Sequence, residues 1–325
     1  MLSIAVIGAG RIGRIHAPNV AAHPGARLAG VADVDAAAAT RLAEACGARA
    51  LSLDEAFTAD AVLIGSPTPT HADFIERAAA AGRAIFCEKP IDLDANRVRT
   101  CLEAVRRAGV PLMVGFNRRF DPHFAALKRR MDAGDIGELE LLTIFSKDPG
   151  PPPISYIESS GGLFRDCMIH DLDMARFLLG EEPVELHAAA SCLVDPAIGV
   201  AGDVDTAVAT LRTASGKLCQ ISNSRRATYG YDQRIEAHGE KGLLRAGNVT
   251  ATTVELANAA GFATDPALPF FLERYAEAYR LELDAFVTAV AAGQAPKPNG
   301  EDGLKALLLA DAATRSAQTG QAEKL

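Results

Sequence analysis

Leu2-Ser3-Ile4-Ala5-Val6-Ile7-Gly8-Ala9-Gly10-Arg11-Ile12-Gly13 opens the chain with a short apolar run that ends directly in a glycine-rich turn. The run does not alternate, as expected of a strand covered on both faces. In the pattern G-x-G-x-x-G each glycine has a mechanical use where a strand passes into a helix. The first permits the tight turn, the second lets backbone approach a pyrophosphate, and the third lets the helix pack close to the strand. The helix N-terminus then faces the phosphates. Asp33 lies twenty residues beyond Gly13, at the end of a second apolar run, where a carboxylate can accept from the adenosine ribose hydroxyls. A carboxylate there repels a 2′-phosphate, and Val34-Asp35 brings no arginine to hold one. The expected cofactor is therefore NAD rather than NADP, contacted by Gly8, Gly10, Arg11, Ile12, Gly13 and Asp33.

Short apolar runs recur at 3–7, 28–32, 61–65, 84–87 and 112–115, with Ala-rich helical stretches between them at 36–46, 71–81 and 96–108. Several of these stretches stop at a glycine (Gly47, Gly82, Gly109), a common helix terminus. The repeated β-α-β order predicts an α/β Rossmann domain over 1–120, a doubly wound parallel sheet with right-handed crossovers. After residue 120 the texture changes. A helix is predicted at 122–133, a strand at 138–146 and a helix at 160–179, with the proline-rich 148–153 irregular. Strands are then predicted in series at 184–193, 205–212, 218–224, 232–238 and 250–256, and helices at 270–292 and 302–317. Strands without intervening helices predict an α+β domain over 121–325, built on an open, mainly antiparallel sheet. Its C-terminal helices are free to return to the first domain.

The chain has 325 residues, 49% of them apolar, and a net charge of −8. Such a composition excludes disorder and fits a globular protein with a sizeable core. The acidic balance argues against nucleic acid and anionic membrane as partners, since clustered Lys and Arg usually hold those. No apolar run approaches the roughly 18 residues of a membrane span, and no basic leader precedes the first strand. The six cysteines lie far apart without a CxxC pair, which predicts buried thiols in a reducing cytoplasm.

Two further segments carry chemistry. Glu88-Lys89-Pro90 ends the fourth predicted strand, and ligands of open parallel sheets bind beyond the carboxyl ends of strands. Lys89 there could donate to a substrate oxygen, or it could be a surface lysine. In Gly161-Gly162-Leu163-Phe164-Arg165-Asp166-Cys167-Met168-Ile169-His170-Asp171-Leu172-Asp173, a helix would place Asp166, His170 and Asp173 on one face at i, i+4 and i+7. A carboxylate beside an imidazole raises its basicity and fixes its tautomer, as a general base requires. Two other readings stay open: a solvated acidic helix face, and a divalent-metal site that lacks a second histidine.

The order GxGxxG, then Glu-Lys-Pro, then Gly-Gly-x-x-x-Asp-x-x-x-His-Asp resembles the Gfo/Idh/MocA oxidoreductases, and the likeness runs over essentially the whole chain. The proline run after Asp148 and Tyr229-Gly230-Tyr231-Asp232 are similar to the inositol-oxidising branch of that family. The resemblance implies NAD-dependent oxidation of myo-inositol to 2-keto-myo-inositol, with no metal. It implies catalytic roles for Lys89, Asp166 and His170, and cyclitol contacts from Asp148, Asp173 and Tyr229 or Tyr231, alongside Lys89, Asp166 and His170 themselves. It implies that Ser66, Pro67, Thr68 and His71 run along the nicotinamide half of the cofactor, where Glu88 and Lys89 also contact it. It further implies a small neutral polyol as substrate and a homo-oligomer, dimer or tetramer. Arg165 beside Asp166, and Lys147 where an arginine is expected, depart from the pattern. They bear on fine substrate preference, and Arg165 could lower the pKa of Asp166. The alternatives are a sibling enzyme for scyllo- or chiro-inositol or an aldose such as glucose, and a non-catalytic dinucleotide-binding regulator.

Overall fold

The computed structural model describes all 325 residues, Met1–Leu325. The chain divides into two compact units: Met1–Phe120 with Ala278–Leu307, and Asp121–Glu277 with Leu308–Leu325. No helix is long and apolar enough to cross a membrane.

The first unit is built on β1 (Leu2–Ile7), β2 (Ala26–Ala32), β3 (Ala61–Ile64), β4 (Ala84–Glu88) and β5 (Leu112–Gly115), all parallel, in the order β2-β1-β3-β4-β5. Helices Gly13–Ala22, Ala36–Ala45, His71–Ala80 and Ala95–Ala108 connect them. Their ends follow local chemistry. Asp35 caps Ala36–Ala45 by accepting from the amides of Ala37 (3.0 Å) and Ala38 (3.1 Å), a contact usually worth about 1 kcal/mol. Gly109 ends Ala95–Ala108 in the left-handed conformation, φ 67°, which costs glycine nothing.

The core of this unit joins Ile4, Val6, Val31, Leu63 and Phe86 of the sheet to Leu283, Phe286 and Val287 of the helix Ala276–Ala291. The second unit is therefore not the continuous stretch 121–325. Residues 278–307 belong to the first unit because this apolar stripe is buried there, with roughly 2–3 kcal/mol for a side chain the size of Phe286.

The second unit carries β6 (Leu139–Lys147), β7 (Pro183–Ser191), β8 (Thr206–Thr213), β9 (Leu218–Ser224), β10 (Asp232–Gly239), β11 (Gly242–Ala246) and β14 (Glu323–Lys324). Their order is β11-β10-β6-β9-β8-β7-β14, antiparallel except for the parallel pair β6 and β9. In β8 burial alternates residue by residue, with Ala207, Ala209 and Leu211 inside, the pattern of a sheet with one covered face. A separate ribbon, β12 (Glu255–Asn258) with β13 (Gly261–Thr264), stands where one strand was expected at 250–256.

The expected helix 160–179 is resolved into parts. Helix Ile154–Ser160 ends at Gly161, which with Gly162 adopts positive φ (86° and 81°). A π-turn, Phe164–Met168, follows, and then the helix Ile169–Leu179. Two consecutive left-handed glycines break an α-helix, and the chain re-enters through a wider turn of a kind frequent at functional sites.

Candidate functional site

In the first unit the glycine loop is rigid where it must be and open where a ligand needs room. Gly8 has φ +109°, and a Cβ there would lie 2.6 Å from the carbonyl oxygen of Gly65. A Cβ on Gly13 would lie 1.8 Å from the carbonyl oxygen of Gly8. Gly10 has no atom within 4 Å of the place its Cβ would take. That open cradle fits a pyrophosphate, as does the N-terminus of Gly13–Ala22, which no side chain caps. Arg11 is exposed at the rim and Ile12 half-buried.

Asp33 accepts from the Ala9 amide through Oδ2 (2.6 Å) and from the Asp35 amide through Oδ1 (2.8 Å). It ties the glycine loop to the end of β2, and its carboxylate keeps acceptor capacity for ribose hydroxyls. These residues fit NAD.

Downstream of β3, Ser66 and Thr70 share a hydrogen bond of 2.6 Å, and Thr70 donates to the Pro67 carbonyl (2.7 Å). Pro67 is exposed and Thr68 half-buried. His71 is buried, with Nε2 2.7 Å from the Ser66 carbonyl and Nδ1 2.8 Å from the Pro90 carbonyl. Burial lowers its pKa, against the two carbonyls, which favour the charged ring. His71 thus braces the 66–70 loop against the turn after β4. Glu88, expected at the cofactor, is buried with Oε1 2.7 Å from His16 Nε2. Lys89, the next residue, is half-buried and so not a free surface lysine.

In the second unit Asp166 sits in the π-turn, where the Tyr156 hydroxyl donates to its Oδ1 (2.9 Å). Arg165, adjacent to Asp166 in sequence, forms an ion pair with Asp311. Its Nε donates to Asp311 (2.7 Å). The guanidinium facing Asp166 is that of Arg225, 1% exposed, whose nitrogens lie 3.8 Å from Asp166, 3.8 Å from Asp203 and 3.9 Å from Asp148. Asp203 in turn accepts from the Leu163 amide at 3.0 Å, holding the glycine turn ahead of Asp166.

His170 is half-buried in the first turn of Ile169–Leu179. Asp171 and Asp173 are buried, so this helix does not present a solvated acidic face. Asp171 accepts from Asn223 Nδ2 (2.8 Å), and Asp173 lies 3.7 Å from Arg176. The i, i+4, i+7 face is also corrected, because Asp166 precedes the α-helix.

The two tyrosines part company. Tyr229 is 49% exposed and its hydroxyl donates to Asp232 (2.7 Å). Burial and then that carboxylate push its pKa up. Tyr231 is buried, its ring centroid 6.1 Å from that of Phe270 and 5.9 Å from that of Tyr275. Of the pair, only Tyr229 offers an open ring. Sequence reasoning assigned nothing to Arg225, Tyr156 or Asp203. Arg225 directly follows the strand Leu218–Ser224, and its sequence position gave it no role.

A family model described as an oxidoreductase family with an NAD-binding Rossmann fold matches residues 2–116, and one for the GFO/IDH/MocA C-terminal domain matches 124–245. The chain is 56% identical over 314 residues to an inositol 2-dehydrogenase of Rhizobium meliloti, spanning 96% of this chain and 95% of that protein. Its structure is similar to that of a myo-inositol dehydrogenase from Corynebacterium glutamicum, with a TM-score of 0.96 and 49% identity over 100% and 99% of the two chains. It is also similar to scyllo-inositol dehydrogenase from Lactobacillus casei, solved with bound NAD(H) and scyllo-inositol, with a TM-score of 0.92 and 30% identity over 100% and 99%.

Proposed function

The chain belongs to the Gfo/Idh/MocA family of oxidoreductases with an NAD-binding Rossmann fold, and from that premise we propose that it oxidises myo-inositol to 2-keto-myo-inositol in inositol catabolism. What carries the reading is whole-length likeness to inositol dehydrogenases, in a chain whose sequence has Lys89, Asp166 and His170 at the positions the family resemblance marks as catalytic.

Bound NAD supplies the hydride acceptor, the chemistry no side chain here can provide. The protein's part is binding, orientation and proton handling. Lys89 donates to the reacting oxygen and stabilises alkoxide character as the C–H bond breaks. His170 takes the hydroxyl proton as general base. Asp166, held by Tyr156, stabilises the imidazolium that results. Asp148, Asp173 and Tyr229 read the ring hydroxyls. The substrate is a neutral polyol, the assembly a homo-oligomer through the open sheet, and the compartment cytoplasmic, the last supported by six free cysteines.

A panel of myo-, scyllo- and chiro-inositol and glucose, followed at the NADH absorbance band, tests the substrate. Myo-inositol is expected to give the highest kcat/KM. Preference for scyllo-inositol, the ligand of one similar structure, would transfer the assignment to a sibling activity. Lys89→Ala and His170→Ala are each expected to lower kcat by at least about 100-fold with NAD binding retained. Near wild-type turnover in both would remove their roles.

A further inference from the structure

The first unit holds a buried trio whose members His16 and Glu282 no role above uses. His16 comes from the helix Gly13–Ala22, Glu88 ends β4, and Glu282 comes from the returning helix Ala276–Ala291. His16 Nε2 lies 2.7 Å from Glu88 Oε1 and 4.0 Å from Glu282 Oε1, and both His16 and Glu282 are 0% exposed. Neither oxygen of Glu282 has a hydrogen-bond partner, nor has His16 Nδ1. The tautomer that fits carries its hydrogen on Nε2 and donates it to Glu88. Gly115 leaves room for the Glu88 carboxyl, whose carbon lies 3.0 Å from where a Cβ on Gly115 would stand. His16 and Glu88 are the titratable groups that face Glu282, and Tyr279 of the same helix meets the His16 ring edge-on, with centroids 5.6 Å apart.

The ligand atoms of the three side chains lie within 4.8 Å of one another, and two buried carboxyl groups that close do not both ionise. Burial first, and then Glu88, raise the Glu282 carboxyl well above its ordinary value. We propose that Glu282 is a positioning residue: a neutral carboxylic acid that closes the His16–Glu88 pair and so fixes the Glu88-Lys89-Pro90 turn that carries Lys89. The proposal rests on the dehydrogenase reading for the importance of Lys89, and its protonation state is tested without it.

Wild type, Glu282→Gln and Glu282→Ala are compared as full-length proteins. A folded-state pKa raised above the unfolded value gives stability that is complete below about 4.5 and is lost as pH rises toward the raised value. Gln cannot titrate. The Tm of Glu282→Gln relative to wild type is therefore expected to climb by roughly 3 °C or more between pH 5 and pH 8. A flat difference would overturn the neutral acid. Glu282→Ala is expected to lower kcat roughly tenfold or more with NAD affinity unchanged, and Gln to restore it. Wild-type kcat in the Ala variant would overturn the positioning role. Zn²⁺ or Mn²⁺ raising the Tm of wild type but not of Glu282→Gln would make the trio a metal site instead and overturn the proposal. Wild type inactive on every cyclitol would remove the dehydrogenase reading and the role of Lys89 with it, and the pH-dependent Tm difference separates that failure from a wrong protonation state.

Discussion

Arg225 Nη2 lies 3.8 Å from Asp166 Oδ2, and the same guanidinium faces Asp148 and Asp203, so one buried cation serves three carboxylates. Two of those carboxylates are the ones assigned to the proton relay and to the cyclitol. Nε and Nη2 of Arg225 are buried without a hydrogen-bond partner. The guanidinium therefore acts here through charge and shape rather than through a bidentate pair.

Removing that charge leaves three clustered carboxylates to repel one another. Arg225→Met is expected to lower kcat/KM by about 100-fold and to cost about 2–4 kcal/mol of stability. Arg225→Lys keeps the charge and should recover much of the stability but less of the activity, since an ammonium cannot span three partners as a planar fork does. Steady-state kinetics with urea unfolding checks both. Equal activity in the two variants would show that shape, not charge, is what Asp166 needs.

Gly10 and Gly13 should separate binding from folding. A methyl on Gly10 meets nothing within 4 Å, so Gly10→Ala is expected to change stability by less than about 1 kcal/mol. It would project into the cradle that fits a pyrophosphate, and NAD affinity should fall roughly tenfold or more. On Gly13 the methyl would lie 1.8 Å from the Gly8 carbonyl oxygen, so Gly13→Ala should lose both stability and NAD binding. Paired urea melts and NAD titrations measure the contrast, and an unchanged NAD affinity in Gly10→Ala would move the phosphates elsewhere.

Asp33 has two uses, and its removal should show both. Its Oδ2 accepts from the Ala9 amide at 2.6 Å, so Asp33→Ala loosens the glycine loop as well as the ribose contact. NAD binding is expected to weaken by about 10- to 100-fold, the worth of a hydrogen bond to a charged group. The NAD:NADP preference should fall with it, because the repulsion of a 2′-phosphate is gone. Initial rates with each cofactor decide the matter, and an unaltered ratio would count against Asp33 as the discriminating group.

The parts legible in sequence are those whose cause is local. The glycine loop, Asp33 and the five parallel strands follow from turn chemistry and unbroken apolar runs. The 160–179 segment misled because its periodicity looks helical while Gly161 and Gly162 turn left-handed. Tyr229 and Tyr231 would share a face in an extended strand, but Gly230, at φ +117° and with a Cβ position 2.4 Å from the Ala267 carbonyl oxygen, turns the chain between them. Arg225 reaches Asp166 only because β9 ends beside the π-turn, and no short-range pattern encodes that meeting.

Asp205 supplies the acid limit of the second unit. It is 0% exposed, and its carboxylate accepts from the amides of Leu193 (2.7 Å), Val194 (2.8 Å) and Asp195 (3.0 Å) and from the Thr206 hydroxyl (3.0 Å). Burial alone would raise its pKa, but the three amides and the hydroxyl outweigh burial and hold it at about 2. A depressed folded-state pKa gives stability that is present above the unfolded value of about 3.9 and is lost as pH falls toward the folded one. Asp205→Asn is therefore expected to cost about 2 kcal/mol at pH 7, the worth of the charged acceptor. The gap to wild type should stay constant down to about pH 5 and narrow below about pH 4, where the Asp205 carboxylate of the unfolded wild-type chain takes up its proton before that of the folded chain does. Urea unfolding of both proteins at pH 7, 5 and 3.5 traces the difference, and a gap of the same size at pH 3.5 as at pH 7 would mean that the Asn variant loses packing rather than charge.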